Sequence, residues 1–226
     1  MSITEAETTA DTTDTLAAMR AAGCPAAAAA AAAEAEAEDT SDLLDPSPTG
    51  ELIDGRPRPT TLDEYAEGDE SDRRVVLGWL GPAFDETGEL RGPLPASYVV
   101  AESNGWPKKE GEAEAAKLNE ALLTDFFERD GLLGAVFGVS DKNWNSSRAL
   151  TIWEDNASLD VFLNSEEHQH AVRRMKDIAY TWEGIRWTSD SPELPTFDDV
   201  AAKLAEQRAE RRKQRAERAE RRRNKQ

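Results

Sequence analysis

Residues 148–175 read RALTIWEDNASLDVFLNSEEHQHAVRRM, and the fold turns on how this stretch is parsed. Leu150–Trp153 is a short apolar strand. Asp155 or Asn156 then caps a helix whose apolar positions are Leu159, Phe162 and Leu163. Asn164-Ser165 interrupts that helix. Ser165 can cap a further helical turn that begins at Glu166-Glu167 and continues through Ala171, Val172 and Met175. His168 and His170 are the only histidines in the chain, which makes them the first candidates for proton chemistry near neutral pH.

Working outward, Tyr180–Thr188 (YTWEGIRWT) closes the unit as a last strand. On the other side, Leu132–Val139 (LLGAVFGV) is an apolar strand joined to Leu150–Trp153 through a turn over Asp141–Ser147. Before it, Glu110 to Arg129 is helical, with Ala115, Leu118, Leu122 and Phe126 on one stripe. Asp130-Gly131 ends this helix, Gly supplying the left-handed cap. Ser97–Ser103 (SYVVAES) is strand-like, and Asn104-Gly105 reads as a turn pair. The order β-α-β-β-α-β predicts an α+β, ferredoxin-like unit over residues 96–190, with two helices on one face of a four-stranded antiparallel sheet. The other face needs cover. A second copy would supply it, so the expectation is a homodimer of facing sheets.

Three motifs resemble the antibiotic-biosynthesis-monooxygenase group of dimeric α/β barrels. Asp130-Gly131-Leu132-Leu133-Gly134 is similar to the start of that family's second strand, Thr151-Ile152-Trp153-Glu154 to its Trp-bearing strand, and Leu159 to His168 to its second helix. The resemblance covers about 90 residues and implies a cofactor-independent monooxygenase. Such an enzyme deprotonates a phenolic or quinol-like small molecule in a dry cavity, and the anion reacts with O2. That chemistry needs a base, an apolar wall and a polar group for the oxyanion. His168 or His170 would be the base and Asn104 the hydrogen-bonding group. Trp153, Phe162, Trp182 and Trp187 would bind the substrate. Each residue also has a plain reading as core, turn or surface. Two positions apart on a helix puts the histidines about 200° apart, so at most one points inward. Trp182 and Trp187 fall on opposite strand faces. A heme-binding relative is the alternative, with His170 near the axial ligand's place and Asn104 near an Asn position. Phe162 stands where the heme-degrading relatives have Trp. A non-catalytic dimerisation or interaction module is the third reading.

The flanks are different in kind. Residues 1–72 hold 18 acids and three bases, with no Trp or Phe, and read as mostly disordered. Within them, Pro25 and the alanines that follow favour a marginal exposed helix, and Cys24 is the only cysteine, which excludes an internal disulfide and a cysteine zinc site. Residues 73–95 contain Val75–Leu80 (VVLGWL), an extra strand or clip that Trp79 anchors, and then a turn at Asp85–Gly88. Residues 191–226 are a linker and a basic helix from Phe197 toward Arg223, capped at Thr196. From Lys203 to Gln226 the net charge is +7, against −18 for the whole chain. This helix lacks an a/d seam and a nucleic-acid reading motif, so phosphate contact is the weaker reading beside a solvated or self-associating tail. With no basic start and no apolar run near the ~20 residues that span a bilayer, the expectation is a cytoplasmic protein without membrane contact. Histidines spaced H-Q-H do not converge on one ion, so no metal is expected.

Overall fold

The computed structural model describes residues 52–53 and 55–223. The readings of the alanine run and of Cys24 lie outside these residues. The chain divides into two compact units, one ending at Pro192 and the other beginning at Glu193.

The first unit opens with two short paired strands, β1 (Leu52–Ile53) and β2 (Arg56–Pro57), and a one-turn helix, α1 (Leu62–Ala66). Thr61 Oγ1 caps α1 by accepting from Glu64 N, and the Glu64 carboxylate accepts from Thr60 N, a reciprocal arrangement close to a capping box. Five antiparallel strands follow: β3 (Arg74–Leu80), β4 (Tyr98–Pro107), β5 (Leu132–Ser140), β6 (Ser146–Trp153) and β7 (Ala179–Ser189). Their order in the sheet is β3-β5-β6-β4-β7. Three helices connect them: α2 (Glu112–Phe127), α3 (Asn156–Leu163) and α4 (Glu166–Ile178). Removing β3 leaves the split βαβ order expected from sequence. The Val75–Leu80 segment is thus a fifth strand, paired to β5, with Trp79 stacked on Phe84 at 5.1 Å.

The local signals that the sequence carries are used. Asp155 accepts from Ser158 N and caps α3, and Ser165 accepts from His168 N and caps α4. Gly131 takes φ +80° after α2, where any side chain would be strained. Gly134 serves another purpose. A Cβ there would lie 2.2 Å from the Phe84 ring, so only a glycine lets β5 carry that ring.

Tyr65 on α1, within the stretch expected to be mostly disordered, is 1 % exposed and packs on Trp106 and Tyr180. One expectation is corrected. Asn104-Gly105 is no turn. β4 runs straight through it, with Asn104 opposite Arg148 of β6 and Glu183 of β7, because both neighbouring strands are long enough to pair there. All ten residues of β4 are buried.

The second unit is a helix, α5 (Phe197–Arg223), with Asp198 and Asp199 in its first turn. Thr196 Oγ1 accepts from Asp199 N, and the Asp199 carboxylate accepts from Thr196 in return. No helix among the described residues is long and apolar enough to cross a membrane.

Candidate functional site

A strand sends alternate side chains to opposite faces, so β4 sorts its residues into two environments. Val99, Ala101 and Ser103 face the helices, while Val100, Glu102 and Asn104 face away.

On the helix side lies a small cavity. Ser103, Phe137, Ala149 and Thr151 of the sheet form its floor, and Leu123, Phe126, Leu159 and Phe162 of α2 and α3 form its roof. Behind the roof the aromatic rings interlock. Trp153 stacks on Phe162 at 5.5 Å and meets Phe126 edge-on at 5.4 Å. The Trp153 indole N–H donates to Thr151 Oγ1 (2.9 Å), which donates in turn to the Ala101 carbonyl (3.1 Å).

The two histidines separate as the helical angle demands. His168 is fully buried, while His170 is exposed. His168 Nδ1 lies 3.0 Å from the Leu163 carbonyl, so the ring proton sits on Nδ1 and Nε2 is the basic nitrogen. The ring packs on Phe162 with centroids 4.8 Å apart, one layer behind the cavity. The Glu114 carboxyl is held below its ordinary range first by the Arg174 hydrogen bond, with the charge of His170 adding to the effect.

The remaining expected site residues scatter. Trp153 supports the roof without lining the cavity. Trp182 is buried on the helix side, and Trp187 lies on the opposite face, across from Val100. Phe162 does line the cavity. Asn104 does not reach it, because it points to the other face one residue after Ser103. An oxyanion role for Asn104 in this cavity is therefore withdrawn. Heme does not fit the residues assigned to it either. Asn104 is buried beyond the sheet and His170 points into solvent, so the two share no pocket. Among the described residues, no three His, Cys, Asp or Glu side chains gather as a metal site.

The face away from the helices carries a buried polar cluster that the sequence reading missed. Arg148 donates from Nη1 to Glu102 (2.9 Å) and from Nη2 to Glu70 (2.7 Å), and Asn143 Nδ2 also donates to Glu70 (3.1 Å). Glu102 is fully buried. Burial pushes its carboxyl up to about 7 against the pull of Arg148, with Glu183 adding to the rise. Burial also acts to raise Glu70, but the charge and hydrogen bonds of Arg148 outweigh it and hold that carboxyl low. Asn104 is fully buried beside this cluster, with neither amide atom hydrogen-bonded. The missed cavity residues Ser103, Phe137, Ala149 and Thr151 could have been found by carrying the two-residue alternation of each strand through to its partner.

No family model matches the sequence, and no curated protein matches it. Solved structures similar to the chain include an antibiotic biosynthesis monooxygenase, at 18 % identity over 43 % of this chain and 99 % of that one, with a TM-score of 0.37. A Bacteroides thetaiotaomicron protein provisionally named as an antibiotic biosynthesis monooxygenase is 20 % identical over 44 % of this chain and 95 % of its own, at a TM-score of 0.38. A Fusobacterium nucleatum protein provisionally named as a monooxygenase is 13 % identical over 53 % of this chain, at a TM-score of 0.41. The match spans 54 % of that protein, about half its length.

Proposed function

We propose that the chain is a cofactor-independent monooxygenase for a small phenolic or quinol-like molecule, with the cavity between sheet and helices as its reaction chamber. The observation that carries this reading is an apolar chamber walled by Phe126, Phe137 and Phe162, with the one buried imidazole of the chain a single ring away. It agrees with the three motifs in the sequence. The substrate ring enters by parting α2 and α3 from the floor and stacks among the phenylalanines. As the cavity opens, Phe162 swings aside, His168 Nε2 takes the phenolic proton, and the electron-rich anion reacts directly with O2. Two substrate hydrogens leave as water with one oxygen atom, and the other oxygen becomes a carbonyl. Electrons and atoms balance without an external reductant. Floor and roof come from one chain, so the chamber is complete without a second copy.

The test is oxygen uptake by the full chain against a panel of phenols and quinols, corrected for autoxidation in buffer. Uptake is expected in the wild type and in His170→Ala, and is expected to be lost in His168→Ala with the fold intact by circular dichroism. Uptake at buffer rate across the panel sinks the reading. Equal turnover in both variants removes histidine from it.

A further inference from the structure

The chamber as it stands has a chemistry of its own. Its volume is about 10 Å³, which is room for one small molecule and not for an aromatic ring. No polar atom faces it. Thr151 explains part of this. Its hydroxyl is spent on the Ala101 carbonyl and on the Trp153 indole N–H. A buried water needs two to four hydrogen-bond partners, and this wall offers none. Water is therefore a poor guest, and a void here leaves Phe126, Phe137, Ala149 and Leu159 without dispersion contacts on one side. A guest that restores those contacts and needs no hydrogen bond is a small apolar gas.

We propose that this small apolar cavity binds such a gas, and that in the reaction above the gas is dioxygen. Naming dioxygen rests on the monooxygenase reading, whereas the gas site itself does not. In this arrangement the oxidant waits in a dry site against the aromatic wall where the substrate ring arrives.

The test uses the full chain, isotope-labelled at methyl groups, under xenon pressure and then under dissolved oxygen. Methyl signals of Ala149, Leu123 and Leu159 are expected to shift with xenon and to broaden with paramagnetic oxygen. Those of Val100 and Leu150, equally buried on the other face, are expected to respond less. Ala149→Leu adds carbons to the floor and should abolish the response while the remaining spectrum is kept. Ala149→Val serves the same purpose if the larger side chain unfolds the protein. An equal response at both sets of methyls, or a response that survives filling, overturns the gas site even if oxygen uptake persists. A xenon response without any uptake keeps the gas site and removes the monooxygenase reading.

Discussion

At the residue scale, Glu102 is the side chain with the clearest consequence. Its folded pKa of about 7 lies above the 4.5 of an ordinary glutamate, so the folded chain holds the proton more tightly than the unfolded chain does. Below that ordinary value both states are protonated and nothing is lost. As pH rises from there toward 7, the unfolded chain ionises first and stability falls. Above about 7 the loss is complete, on the order of 3 kcal/mol for a shift of this size. Glu102→Gln is neutral at every pH and escapes the loss. Its melting temperature, measured against the wild type, is expected to gain more at pH 8 than at pH 4. An unchanged difference between the two pH values would show that Glu102 does not titrate in this window. Glu70 contributes the opposite slope in both proteins, and its negative charge is part of what raises the Glu102 carboxyl.

At the element scale, β3 is what turns a four-stranded unit into a five-stranded sheet, and its return loop is seated by one glycine. Phe84 lies over Gly134 and stacks on Trp79 at the far end of β3. Gly134→Ala forces the ring or the strand to move, with an expected cost of about 1–3 kcal/mol in denaturant unfolding. Adding Phe84→Leu should recover part of that cost. Strict additivity of the two changes would mean that the pair does not interact. The strand was legible from its apolar run between charged and Gly-Pro punctuation. Its partner was not, because pairing depends on which sheet edge is open, and that is settled far along the chain at β5.

At the scale of the whole molecule, the charge is unevenly spread, with −15 in residues 1–72 and +7 from Lys203 onward. β4 is nevertheless buried along its whole length, Val100, Glu102 and Asn104 included. The backbone amides of β4 are therefore expected to be equally protected from hydrogen exchange in dilute and concentrated solution. Protection that weakens on dilution would mean that a second copy covers the sheet. The fold order was legible because it is written in local signals. The candidate site was legible only in part: the sequence pointed to His168 and Phe162, but not to the floor of the cavity or the Arg148 cluster.

The sequence alone determined the run of elements, since caps at Asp155 and Ser165, a left-handed Gly131 and the apolar periods act within a few residues of one another. It also determined that the two histidines diverge, because the angle between them is a property of any helix. Only the tertiary structure decided which of them is buried, that Asn104 faces away from the cavity, and that Glu102 meets Arg148. The reason is register: sliding a strand by one residue exchanges its two faces, and that register is set by partners forty or more positions away.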